Sequence, residues 1–412
     1  MRHIHEWSGR LFFLTALGMA VMVVYDFKIS GQLASLLAVW WLLSGRVREH
    51  WNYIVKNPLG QAILLYCGWM IISLFWSDYP KAGFGYAKAH WQLLYILIIP
   101  LMLSKNQIRL LFRIFIYSLL PAIAIHYFVF YGIINAFWEG YPLYSFLDVT
   151  RTHFSILIGI ASFGLYLISQ EIESSKLSYI HIALSIILFL LLFQHGGRGG
   201  QLAIFTSLAA MTGYVLYRKK GILISLLMLM LVPIILLTVG YTFSDKFKNR
   251  IDLAKADIDK VIYQNNFGTS VGTRLGSWWI ALSIIQEHPL GGVGMASHIP
   301  AFNDKLAGEY KAYKDHFPII RKTHFHNEYI EVTTQLGVVG LTLLLYLFFQ
   351  TYREGLRRNN GSSVYVLGVV VLFMTNSLTQ VVLSRKIEVY PMILLLVFLY
   401  FGYRNSTPSN RV

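Results

Sequence analysis

Residues 221–241 read GILISLLMLMLVPIILLTVGY and contain no charged side chain, while Arg218, Lys219 and Lys220 stand just before them. About 20 apolar helical residues cross the roughly 30 Å hydrocarbon core of a bilayer, so this run predicts a membrane helix. It is one of twelve. Working outward, the same reading gives spans at 11–27, 30–44, 58–77, 88–104, 108–134, 153–169, 178–195 and 200–217 before it, and at 330–352, 363–383 and 389–403 after it. The first reads as a membrane helix rather than a cleaved leader, because Asp26 and Lys28 follow Tyr25 with no small-residue cleavage site.

Composition supports that reading. Of 412 residues, 56% are hydrophobic and 13% charged, and the mean hydropathy is +0.53. A soluble domain carries about 25% charged residues. These values exclude a disordered chain, a coiled coil and nearly every soluble enzyme. The predicted fold is all-α: a polytopic integral membrane protein with about 12 transmembrane helices and one large loop that contains helices. One cysteine, Cys67, leaves no disulfide framework and no CxxC site. The net charge of +15 fits orientation signals, anionic headgroups and an anionic substrate. No RNP motif, zinc finger or basic arm points to nucleic acid.

The chain divides into residues 1–241 with nine spans, a polar loop at 242–329, and residues 330–412 with three spans and a short tail. With the N-terminus in the cytoplasm, short inner segments hold 17 Lys+Arg, short outer ones 7, and the long loop the remaining 11. That bias predicts both termini in the cytoplasm and the loop outside, which is the periplasm of a Gram-negative cell.

The outer side then gathers unusual residues. Arg198 lies in the turn His195-Gly196-Gly197-Arg198-Gly199-Gly200 between two apolar helices. A charge there tends to face a bundle interior or a wet cavity. In the loop, Arg274 precedes Trp278 and Trp279 on a segment that reads as an interfacial helix. The run His288-Pro289-Leu290-Gly291-Gly292-Val293-Gly294 ends that helix, and its glycines could let a ligand approach closely. His324, His326, Asn327 and Glu328 stand at the foot of the tenth span. Their spacing is not that of HExxH, so no metal site is expected. Arg385 and Lys386 fill the last outer turn.

Together these motifs resemble the O-antigen ligase/polymerase family of integral membrane glycosyltransferases. The pattern is Gly197-Arg198-Gly199, then Arg274 with Trp278 and Ala281, then the His288–Gly294 run, then His326-Asn327-Glu328-Tyr329-Ile330-Glu331 continuing to Gly337 and Gly340. It covers residues 185–350, and the ligase branch fits best. Two positions depart: His195-Gly196-Gly197 stands where the family has Ser-x-Ser, and Gln335 replaces a common glutamate.

The resemblance implies a GT-C-like enzyme of the bacterial inner membrane with a periplasmic site. It would move a glycan from undecaprenyl pyrophosphate to a sugar hydroxyl of lipid A–core oligosaccharide, in lipopolysaccharide assembly. Inversion, no cofactor and no metal are implied. Arg198 and Arg274 would stabilise the pyrophosphate, and His326 would be the general base. Arg385, Lys386, Gly292, Gly294, Asn327 and Arg151 would contact substrate. A metal-free diphosphate leaving group needs fixed cations, and arginine is permanently charged and binds oxyanions through two N–H groups. An imidazole suits removal of the acceptor's proton. The alternatives are an O-antigen polymerase, a protein O-oligosaccharyltransferase and, in another class, a transporter or flippase. A transporter usually shows internal repeats and ionisable residues at mid-membrane; no repeat is evident, and His126 alone lies mid-span.

Overall fold

The computed structural model describes residues 2–25, 27–131, 133, 151–194, 197–311, 313 and 324–403, with the side chains of 2–6, 27, 130 and 151 left aside. Helices account for almost all of it, and no strand occurs among the described residues. In chain order they are α1 (Arg2–Tyr25), α2 (Phe27–Leu43), α3 (Val47–Lys56), α4 (Pro58–Ile72), α5 (Pro80–His90), α6 (Tyr95–Met102), α7 (Lys105–Phe130), α8 (Arg151–Ser169) and α9 (Ser175–Leu191). There follow α10 (Arg198–Lys220), α11 (Ile222–Phe243), α12 (Asp245–Gln264), α13 (Ser270–Glu287), α14 (His298–Ala307), α15 (Glu328–Arg358), α16 (Ser363–Asn376) and α17 (Lys386–Val397).

The chain is an all-α polytopic membrane protein. Eight helices among the described residues are long and apolar enough to cross a membrane, and two shorter apolar helices lie at Lys28–Leu43 and Ser363–Asn376. Two expected spans differ in detail. Residues 88–104 are the end of α5, a 3₁₀ turn at Trp91–Leu94 and the short α6. Residues 389–403 belong to α17 and a π-helical turn at Phe398–Gly402. α16, the eleventh expected span, stops at Asn376, before the expected 383. Residues 377–385 form a turn whose Val382 and Leu383 N–H groups donate to the buried Glu328 carboxylate. A buried N–H without a partner is costly, and this glutamate supplies one for both.

α8 is the most enclosed of the eight long apolar helices. It packs on α7, α9 and α10, and α10 packs in turn on α16 and on the outlying α11. The long loop is mostly helix as well: α12, α13 and α14 build a small second core around Phe267, Ile280, Ala281, Phe302 and Phe325.

α15 is broken at Gly337, where φ is +66° and ψ −169°. Only glycine holds that backbone shape cheaply. The break frees main-chain groups, and a segment from the loop takes them. Val293 N donates to Thr334 O (2.9 Å), Gly294 N to Gln335 O (2.9 Å), and Val338 N to Pro289 O (2.8 Å). Trp69 Nε1 of α4 donates to Leu336 O at 3.0 Å. Residues 288–294 therefore plug the broken helix.

Candidate functional site

α8, α10, α15 and α17 all begin at one end of the bundle, and α16 ends there. α10 starts hard against its neighbours. A Cβ at Gly199 would collide with the side chain of Thr379, and one at Gly200 with the carbonyl of Thr152. Arg198 is thus held beside the start of α8 and the turn that leads to Arg385. Its Nη1 donates to Arg250 O of α12 at 2.7 Å. Asp257, also on α12, attracts it electrostatically.

Arg274 lies one turn before Trp278, on the same helix face. Trp278 Nε1 donates to Phe325 O at 2.9 Å, which draws that face of α13 to the residue preceding His326. Burial first, and then the like charge of Arg198, push the Arg274 guanidinium below its ordinary pKa. The two arginines are close enough to repel. No carboxylate among the described residues ion-pairs with Arg198, Arg274 or Arg385.

His326 has φ +55°, left-handed for a residue with a side chain. Such a conformation persists only where the surroundings impose it. Here they do. His326 N donates to His324 Nδ1 at 3.1 Å, and the two rings stack edge to face with centroids 4.1 Å apart. Asn327 then caps α15, its Oδ1 accepting from Tyr329 N (3.0 Å) and Ile330 N (3.1 Å). Glu328 ties α15 to the 377–385 turn, as above. Glu331 Oε2 accepts from Phe325 N at 2.8 Å, and its Oε1 lies 2.8 Å from His298 Nε2. Gln335 uses both halves of its amide: Nε2 donates to Glu331 (3.4 Å), and Oε1 accepts from Ala296 N (2.9 Å). A glutamate there could not donate to Glu331, which gives a physical account of the departure at this position.

Arg385 completes the cluster. Its Nη2 contacts His324 Nε2, and its Nη1 lies 3.5 Å from His153 Nε2 on α8. His153 Nε2 is in turn 3.1 Å from Glu388 Oε1. Burial, the rings of His326 and His153, and the Arg385 charge push His324 down to about 3, so it is neutral near pH 7.

Arg198, Arg274, His326 and Arg385 therefore share one end, linked by the contacts above. Other expected site residues have different surroundings. Gly292 and Gly294 have φ of +65° and +86° and press on the backbone of α15 at Gln335–Leu336 and on Ser77, so their close approach is to main chain. Asn327 is spent on its cap. Lys386 reaches Gly31 of α2. The side chain of Arg151, together with His195 and Gly196, lies outside the described residues. Sequence reading passed over His153 and Glu388. The signal was there: both are ionisable residues at the mouths of apolar helices.

A cavity of about 640 Å³ lies away from this cluster. It is an apolar groove among α8, α9, α10 and α16, walled by Ile160, Phe163, Phe189, Ile204, Leu208 and Leu372. Ile204 is about 9 Å along α10 from Arg198, at 1.5 Å per residue.

The family model described as O-Antigen ligase matches residues 183–345, a stretch that includes Arg198, Arg274 and His326. An uncharacterised protein of Haemophilus influenzae is 29% identical over 203 residues, 47% of this chain and 48% of that one. A protein of Escherichia coli named O-antigen ligase is 25% identical over 174 residues, 42% of this chain and 40% of that one. The chain thus matches less than half the length of these curated relatives, and it fits the O-antigen ligase family.

Proposed function

We propose that the chain is an O-antigen ligase, an inverting membrane glycosyltransferase. It moves a glycan from undecaprenyl pyrophosphate to a sugar hydroxyl of lipid A–core oligosaccharide on the periplasmic side of the inner membrane, with both termini in the cytoplasm. The observation that carries this reading is the convergence of Arg198, Arg274 and Arg385, none ion-paired, with His326 at one end of the bundle. Buried like charges repel, so such a group is expensive unless an anion joins it. A diphosphate is such an anion.

In the reaction, the acceptor oxygen attacks the anomeric carbon while the bond from that carbon to the pyrophosphate oxygen breaks on the opposite face. The acceptor proton passes to His326, and the electron pair of the broken bond stays on the departing pyrophosphate. Arg198 and Arg274 meet the charge that grows there. A fixed donor aimed at developing charge in a shielded site contributes about 3–4 kcal/mol of barrier lowering. The apolar groove beside α10 suits the polyprenyl chain, which keeps the reacting bond at the membrane edge.

The test is reconstitution: purified protein, lipid-linked glycan and rough lipopolysaccharide, with and without EDTA. A ladder of capped lipopolysaccharide in both is expected; no product, or product only with added Mg²⁺, sinks the reading. Rescue of a ligase-null but not a polymerase-null strain is the expected outcome for the acceptor.

A further inference from the structure

The reaction above gives His324 no part, yet both nitrogens of its ring are engaged. Nδ1 accepts from His326 N at 3.1 Å, and Nε2 contacts Arg385 Nη2. A neutral imidazole carries one N–H and one acceptor nitrogen. A backbone N–H can only donate, so it makes Nδ1 the acceptor and leaves the ring proton on Nε2. Protonation would set N–H against N–H at Nδ1. Burial first, and then the neighbouring His326 and Arg385, push the ring down to about 3 and keep it neutral near pH 7. A guanidinium has five N–H groups and no acceptor. The contact between His324 Nε2 and Arg385 therefore sets one donor against another. Among the described residues no acceptor meets His324 Nε2, and no carboxylate ion-pairs with Arg385.

We infer that the Nε2–H of His324 donates a hydrogen bond to the diphosphate of the lipid-linked glycan, sharing one of its oxygens with Arg385. The inference rests on the transferase reading and adds a neutral binding residue to its cations. A phosphate oxygen has lone pairs enough to take both N–H groups at once. It turns an unfavourable contact into two hydrogen bonds, one of them charge-assisted. The ring is held ready for this. Trp278 Nε1 donates to Phe325 O at 2.9 Å on one side, and Asn327 caps α15 on the other. Between them His326 keeps its φ of +55°, with its N–H on His324. The rings of His324 and His326 meet edge to face with centroids 4.1 Å apart. An oxygen held at Nε2 is thus a neighbour of the ring that takes the acceptor proton.

The test separates the two nitrogens in the full-length protein. In His324→Asn the side-chain oxygen still accepts from the N–H two residues on, as in an Asx turn, but nothing reaches the Nε2 position. In His324→Gln the amide nitrogen reaches that position and supplies an N–H. Inorganic pyrophosphate is the probe, as an inhibitor of glycan transfer. His324→Asn should weaken its inhibition about tenfold, the loss of one hydrogen bond to a charged group. His324→Gln should keep most of the affinity. Equal inhibition of all three proteins overturns the inference. So does a loss in His324→Gln alone, or an equal loss in both variants, which would assign the ring to holding the His326 backbone. NMR of the unmodified protein with isotope-labelled histidines covers the case in which the variants fail to fold. Pyrophosphate should move the signal of a neutral, Nε2-protonated ring, and no movement overturns the inference. If the unmodified protein transfers no glycan, the transferase reading fails and the NMR measurement still judges the anion site. If it transfers and no such signal moves, this inference alone fails.

Discussion

Arg358 and Arg385 stand at opposite ends of the last helices, and their surroundings differ. Arg358 Nε donates to Glu354 Oε1 at 2.9 Å, its Nη2 to Tyr53 OH at 3.0 Å, and its plane lies 3.9 Å from the centre of the Phe401 ring. At the same end Arg113 reaches Glu171 at 3.4 Å, and Arg109 reaches Glu171 at 3.7 Å and the Gly402 carbonyl at 2.8 Å. These three arginines share two carboxylates, Glu171 and Glu354, and join helices distant in sequence. Around Arg385, Arg198 and Arg274 the partners are imidazoles, a carbonyl and one another, with Asp257 acting on Arg198 only electrostatically and no ion pair among the described residues. Balanced charge holds a bundle together, and unbalanced charge awaits a ligand. One chain carries both arrangements, about one helix length apart.

Substitutions can break that contrast. The largest expected effect is at His326: His326→Ala should lower glycan transfer by about 10²–10⁴-fold, with the protein still folded, as removal of a general base does. Retained transfer in the reconstituted assay would end the base assignment. Next, Arg198→Lys should cost roughly 10²-fold or more in kcat, because an ammonium keeps the charge but loses the fork. Wild-type turnover in that variant would leave only a point charge to explain. At the other end Arg358→Ala should leave donor kinetics alone and cost up to about 3 kcal/mol of stability, since Glu354, only 3% exposed, would keep only Arg357 at 4.0 Å. A falling melting temperature in detergent with unchanged KM is the expected pattern; the reverse would erase the distinction between the ends.

The smallest effect is a pH dependence at the site end. His324 has its folded pKa pushed down to about 3, below the unfolded value near 6.5. The unfolded chain therefore takes up its proton first on acidification. His324 then costs no stability above pH 6.5 and a growing amount as pH falls from 6.5 toward 3. His324→Gln should flatten the melting-temperature profile over that window, and identical slopes for both proteins would count against a neutral His324.

The spans could be read from the sequence because hydrocarbon thickness sets their length, and no tertiary knowledge is needed to see that 221–241 belongs in lipid. The grouping of Arg198, Arg274 and His326 was also legible, since alternating spans carry those segments to one side. The remainder depended on contacts between distant parts of the chain. The glycines of 288–294 suggest ligand approach, yet Val293 N, Gly294 N and the Pro289 carbonyl of that run fill a break at Gly337, more than forty residues downstream. The end of α16 could not be placed because the apolar run continues through Val381, Val382 and Leu383; the contact that holds the turn after it, Val382 and Leu383 N–H on Glu328, comes from another element. His153 belongs to no motif, and Glu388, which faces it at 3.1 Å, lies more than two hundred residues away in sequence.

The break at Gly337 bears on how the molecule is made. Segment 288–294 leaves the ribosome before the helix it completes, so its donors and acceptors must wait for residues 334–338 to arrive. Until then the Gln335 side chain, the loop core and the placement of His326 lack their final partner. A nascent chain stalled before Gly337 would already contain Arg198, Arg274 and His326 but would lack both Arg385 and the peptide that locks them in register, so competence arrives only with α15 and the segments after it.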